Sequence, residues 1–187
     1  METDEFKIIA NIQKGEISNF SALYELYNDR LYRFIYFRTH HKQTAEDLTS
    51  VVFMKALENM GSFNLKKGQF SSWLYQIARN AIIDHFRTLK PAEDLENAWD
   101  ISSGENIERD VEIKFNVEKV QEYLKGLSAQ QRDIVIMRVW DGLSHKEISL
   151  VLGISEANSK MIFSRTLAKL QKEVSLALLM LMIINTK

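Results

Sequence analysis

Apolar side chains recur three and four positions apart through most of the chain, which is helical spacing. Phe6, Ile8, Ile9 and Ile12 suggest a short opening helix, broken near Gly15. Phe20, Leu23, Tyr24, Tyr27, Leu31, Phe34 and Ile35 mark a longer amphipathic helix. Thr44 is placed to cap a third, because the acids that follow it suit the positive end of a helix dipole. Its stripe runs through Leu48, Val51, Val52, Ala56 and Leu57 to about Met60, and Gly61 ends it. A polar, basic loop, Asn64 to Gly68, leads to a fourth helix from about Ser71 to Leu89. Trp73, Leu74, Ile77, Ala78, Ile82 and Phe86 form its apolar stripe, and Pro91 stops it.

The periodicity then lapses. Residues 91–111 hold seven acids and one base, with Trp99 and Ile101 as apolar anchors. Such a stretch reads as an acidic flexible linker. A helical stripe resumes with Phe115, Val117, Val120, Tyr123 and Leu124. Ser128 and Gln131 then form a capping box that opens another helix, ending at Asp141-Gly142.

Composition sharpens this outline. A single Pro and seven Gly leave few turns for a strand-rich fold. The expected fold is all-α: two small helical domains joined by the acidic linker. The expected boundaries are 1–90, 91–111 and 112–174, followed by an apolar tail at 175–187. The absence of Cys excludes disulfides and thiolate metal sites. The acidic start, Met1 to Glu5, lacks the basic and apolar runs of a secretory signal, so a cytoplasmic location is expected. Net charge is −1, low for a protein that grips DNA unaided, since phosphate neutralisation supplies most of that affinity. The charge is uneven. Residues 1–95 carry 12 bases and 12 acids, residues 96–115 carry 2 and 6, and residues 116–187 carry 10 and 7.

The C-terminal base surplus sits on a motif. Ser144 and Glu147 form a second capping box, and Ile148, Val151 and Leu152 face inward on a short helix. Gly153 suits a left-handed cap, and Ser155 caps the next helix. Two short helices joined by a glycine turn are the helix-turn-helix signature, whose second helix enters the major groove. Phe163, Thr166, Leu167 and Leu170 are the expected inward positions, while Asn158, Met161, Ile162 and Arg165 face outward. Lys160, Lys169 and Lys172 add charge. Arg165 suits phosphate or a guanine edge, and Ile162 suits a thymine methyl. The same text also fits a helical hairpin with a solvated basic face.

Three blocks together resemble the compact, two-domain extracytoplasmic-function (ECF) group of bacterial RNA polymerase sigma factors, within the sigma-70 family. Ala45 to Thr49 with Val52 to Ala56 resembles the helix that grips the clamp helices of the polymerase β′ subunit. Phe70 to Asn80, continuing to Phe86-Arg87, resembles the segment that melts and reads the −10 element. Leu127 to Arg132, Gly142 to Ser149 and Leu152 to Ser155 resemble the domain that reads the −35 element.

The resemblance implies a promoter-directing initiation factor that needs no cofactor and no metal. It implies core RNA polymerase (β′ and β subunits), promoter DNA and an anti-sigma factor as partners. Glu46, Asp47, Thr49, Phe53 and Lys55 become candidate polymerase contacts. Lys66, Lys67, Phe70, Trp73, Tyr75, Arg79, Asn80 and Arg87 become candidates for the −10 strand, as rings that stack on unpaired bases and donors that hold the backbone. Ser155, Asn158, Ser159, Lys160, Ile162, Arg165 and Lys169 become candidates for the −35 duplex. Trp73 and Phe86 fit a core better than a ligand surface, and Phe53 fits either a partner anchor or a core. The chain departs from the family where Ser50-Val51 replaces Gln-Glu, where Ser159 replaces Val and where Ile162 replaces Arg.

Other classes fit less well. A self-sufficient helix-turn-helix regulator with a helical sensor or dimerisation domain leaves the aromatic and basic segment Phe70–Arg87 without a use. An enzyme lacks support, because His40, His41, His85 and His145 make no metal spacing, and neither a phosphate-binding Gly loop nor a nucleophile elbow is present. Leu176 to Ile184 is nine apolar residues in a row, short of the roughly 18 that a membrane span needs. It fits an extension folded onto the C-terminal domain, a regulator's docking site or a shallow membrane contact.

Overall fold

A computed structural model describes residues 2–64, 68–89, 124 and 126–173. The linker, the stripe from Phe115 to Tyr123, Lys66, Lys67 and the apolar tail all lie outside the described residues. Seven α-helices and two 3-10 turns make up the regular structure among those described. The chain divides into two compact units, Met1–Pro91 and Ala92–Lys187.

The N-terminal unit contains α1 (Glu2–Gln13), α2 (Phe20–Thr39), α3 (Lys42–Glu58) and α4 (Phe70–Leu89). Its core is the shared interior of α2, α3 and α4, lined by Leu23, Leu31, Phe34, Ile35, Val52, Leu74 and Ile82. Ile9 and Ile12 of α1 are buried against it. Gln13 closes the unit from outside: its Nε2 donates to the Met60 carbonyl at 3.0 Å and the Phe63 carbonyl at 2.7 Å. A 3-10 turn, Met60–Ser62, follows α3 where a simple glycine stop was expected.

The α2–α3 corner differs from the expected one. His40 takes a left-handed backbone conformation, φ 50°, and its N–H donates to the Tyr36 carbonyl. The N-cap of α3 is His41, not Thr44: His41 Nδ1 accepts the Thr44 N–H at 3.1 Å. Thr44 is the third residue of the helix, within its first turn. A ring nitrogen here performs the task expected of a hydroxyl.

The C-terminal unit contains α5 (Ala129–Val139), α6 (His145–Leu152) and α7 (Glu156–Glu173). Both expected capping boxes are present, Ser128 with Gln131 and Ser144 with Glu147. Each satisfies helix-start N–H groups that otherwise lack an intrahelical acceptor. Gly153 caps α6 at φ 66°, ψ 32°, a conformation that costs other residues about 1–2 kcal/mol. Arg132 is buried and donates from Nε to the Leu124 carbonyl and from Nη2 to the Leu127 carbonyl, both at 3.0 Å. It thereby ties the end of the preceding segment to α5. Arg138 Nη1 donates to the Leu143 carbonyl at 3.1 Å and holds the turn before α6.

Candidate nucleic-acid interface

On α3, the two faces separate cleanly. Glu46, Asp47 and Lys55 are exposed. Asp47 accepts from Gln43 Nε2 at 3.1 Å, one turn back. Thr49 and Phe53 are buried instead. Thr49 Oγ1 donates to the Ala45 carbonyl at 2.7 Å, and the Phe53 ring lies 4.7 Å from Tyr24 and 6.2 Å from Phe20. Phe53 therefore packs α3 against α2, Thr49 bonds back within α3, and neither presents a surface to a partner. Val51, placed inward by its spacing, is exposed, and Met54 is 62% exposed. The outward face of α3 thus alternates acid, apolar and basic groups.

On α4, ring burial corrects the expectation. Phe70 and Tyr75 are fully buried. Phe70 meets Tyr27 at 5.4 Å, Phe63 at 5.6 Å and Trp73 at 5.7 Å, and Tyr75 meets Phe34 at 5.1 Å. Edge-to-face packing of this kind adds to the area that the rings remove from water. These two rings serve the core and offer no stacking surface to a base. Phe86 is buried as well. Trp73 is half-buried and rests on Phe63 at 5.0 Å. Asn80 and Arg87 are exposed and Arg79 is half-buried. Trp73, Asn80 and Arg87 are each seven residues apart, so they share one face over about 21 Å of helix. Arg87 Nη1 lies 3.4 Å from the Asp84 carboxylate, a solvent-exposed pairing of little energetic weight.

On α7, Ser155 Oγ accepts the Asn158 N–H at 3.1 Å, so this hydroxyl is engaged as the N-cap. Arg165 and Lys169 are exposed, and Asn158 and Ile162 are half-buried. Together with the exposed Met161 they make one outward face. Lys160 is also exposed, and its Nζ lies 2.6 Å from Glu156. The hydrogen bond and charge of Lys160 hold the Glu156 carboxyl below its ordinary value.

Ser159 is not on that face. It is fully buried, with Oγ 3.0 Å from His145 Nδ1. The His145 ring meets Phe163 edge-on at 5.3 Å. Partial burial, then the charges of Arg138 and Lys160, lower the His145 pKa against a smaller opposing pull from Glu156. Of the expected inward residues, Thr166 is buried while Phe163 and Leu167 are half-buried. Spacing gave no sign of His145, because its partner is fourteen residues away across a turn. Among the described residues, no three His or acid groups are placed to hold a metal ion, and no helix is long and apolar enough to cross a membrane.

The comparisons with known proteins meet these same two units. The Sigma-70 region 2 model matches residues 23–91, and the Sigma-70 region 4 model matches residues 118–170. The ECF RNA polymerase sigma factor BldN of Streptomyces coelicolor is 34% identical over 176 residues, covering 88% of this chain and 64% of BldN. The ECF RNA polymerase sigma factor SigM of Bacillus subtilis is 32% identical over 153 residues, covering 80% of this chain and 91% of SigM. Two solved structures share the fold. CnrH in complex with the cytosolic domain of CnrY has a TM-score of 0.68 at 20% identity, covering 88% of this chain and 93% of that one. RpoE of Bartonella quintana in complex with the anti-sigma factor NepR has a TM-score of 0.65 at 22% identity, covering 82% and 95%. The chain belongs to the ECF group of sigma-70 family RNA polymerase sigma factors, the initiation factors that direct the polymerase to promoters.

Proposed function

We propose that each unit carries one contact surface and that polymerase unites them on a promoter. The outward face of α3, with Glu46, Asp47, Val51, Met54 and Lys55, meets core polymerase. Two acids and one base flanking exposed apolar groups suit a protein partner with Arg at its rim. Ser50-Val51 gives this face an apolar centre where the family pattern has a polar pair. The stripe of Trp73, Asn80 and Arg87, joined by Arg79, holds the −10 strand. Lys66 and Lys67, which precede this helix in the sequence, add basic charge for the same strand. Asn158, Ile162, Arg165 and Lys169 meet the −35 duplex, and Ser155 orients the first turn of α7.

The observation that carries this reading is the order of the two sigma regions along one chain, each falling on its own compact unit. The net charge of −1 agrees with it, because polymerase supplies the affinity that a solitary DNA binder would have to find in its own charge. A regulator acting without polymerase is disfavoured by the same count. The protein works in the cytoplasm, joins the nucleoid when bound to polymerase, and is held in check by an anti-sigma partner of the kind seen on the Bartonella relative.

In vitro transcription tests the reading. Purified protein with core enzyme is expected to start transcripts from a subset of genomic fragments. Absence of both core binding and specific initiation would sink it.

A further inference from the structure

A buried hydroxyl is costly unless it is hydrogen-bonded. Ser159 is fully buried in the seam between α6 and α7, and its bond runs to a side chain of the other helix. His145 is the first residue of α6, inside the Ser144–Glu147 capping box, so its backbone is pinned. The same ring touches Phe163, one turn beyond Ser159. Two contacts from one ring, a turn apart on α7, fix both the rotation and the axial position of that helix. Asn158 and Ile162 immediately precede Ser159 and Phe163 in the chain. Each outward residue is therefore coupled to an anchored neighbour.

We propose that His145 and Ser159 form a positioning pair that sets the angle of α7 on α6, and through it which base edges Asn158, Ile162 and Arg165 reach. The inference rests on the reading of α7 as the −35 helix. A hydrogen bond is directional, whereas an apolar contact tolerates sliding. A rotation of about 20° on a helix of about 5–6 Å radius moves a side-chain tip by about 2 Å. That shift is enough to misplace a base contact while leaving the fold intact. The burial of His145 and the nearby Arg138 and Lys160 favour its neutral form at neutral pH. Neutral imidazole has one donor and one acceptor nitrogen, and a hydroxyl pairs with either.

The test is in vitro transcription by full-length protein and core polymerase from a promoter library randomised at −35, with a second library varied at −10. Ser159→Val and His145→Phe each remove the bond from one side and keep an apolar contact. Each is expected to shrink the rate ratio between the best −35 sequence and its single-base variants by about threefold, against wild-type ratios of about fivefold or more. The −10 profile and the far-ultraviolet spectrum are expected to stay as in wild type. His145→Asn, whose side-chain amide reaches the place of Nδ1, is expected to keep the wild-type ratios. The double variant is expected to be no worse than either single one. Unchanged −35 ratios in both single variants, a uniform fall across both libraries, or additive losses in the double variant would each overturn the pair. Wild-type protein that starts no transcript from either library would instead overturn the functional reading beneath it.

Discussion

The N-terminal unit gathers rings in its interior. Tyr27, Phe34, Phe63, Phe70 and Tyr75 are buried together, with Trp73 at the margin. Buried polar groups are present in this unit too, as Arg38, Thr39, Thr49, Ser71 and Ser72. Among the described residues the C-terminal unit buries aliphatic side chains instead of rings, Leu124, Ile134, Val135, Ile136, Met137 and Ile148, around Arg132, Asp133, Asp141, Ser159 and Thr166. The first arrangement draws on area removed from water and tolerates local variation. The second depends on the direction of individual hydrogen bonds and on helix caps. On the reading proposed above, the polymerase and −10 surfaces fall on the ring-packed unit and the −35 surface on the other.

The largest expected effect falls on the ring core. Phe70→Ala is expected to cost about 3–5 kcal/mol, read as a loss of the urea midpoint of the N-terminal transition. A variant that keeps its midpoint and loses only promoter melting would break the comparison, because the ring would then be a DNA platform. Arg132→Leu comes next. It leaves the Leu124 and Leu127 carbonyls without their donors, for about 2–3 kcal/mol. Full stability in that variant would show that the C-terminal unit does not rely on its buried polar groups. Gly153→Ala is expected to cost about 1–2 kcal/mol, since an added Cβ meets nothing within 4 Å and only the left-handed backbone resists it. Ser144→Ala, which dismantles a capping box, is expected to cost about 1 kcal/mol. Thermal melting of the full chain checks both.

The smallest effect is a pH slope shared by the two units. Burial, joined by the charge of His41, lowers the pKa of His85, and burial with Arg138 and Lys160 lowers that of His145. The unfolded chain then takes up these protons first, near pH 6.5. Stability is complete above that value and declines as pH falls toward the folded pKa. Urea midpoints from about pH 7.5 to about pH 5.5 are expected to fall less steeply in His145→Phe than in wild type. An equal slope would remove His145 from the account.

Much of the architecture was legible because caps and periods are local. Ser128-Gln131, Ser144-Glu147 and Gly153 announce their helix ends within four residues of sequence. Facing was harder. Phe70 and Tyr75 look like stacking rings by type, yet their packing partners Tyr27, Phe63 and Phe34 are contributed by other segments. Val51 and Phe53 are two residues apart and both apolar, and only the placement of α2 decides that Phe53 is covered and Val51 is not. His41 escaped as a cap because a ring nitrogen is an uncommon acceptor there, and Thr44 offered the usual chemistry. Ser159 escaped because its partner lies across the helix-turn-helix.

On the proposed −35 surface, the exposed Lys160–Glu156 contact bears on how binding responds to salt. Each cation that neutralises a phosphate releases condensed counterions, which steepens the dependence of affinity on ionic strength by about one unit in the logarithmic slope. Lys160 enters that exchange already neutralised by Glu156. When it turns to a phosphate it strands a carboxylate that must regain cations from solution. Its net release is therefore smaller than that of an unpaired lysine. If α7 lies on the −35 duplex as proposed, binding is expected to fall less steeply with ionic strength than the number of lysines on α7 suggests.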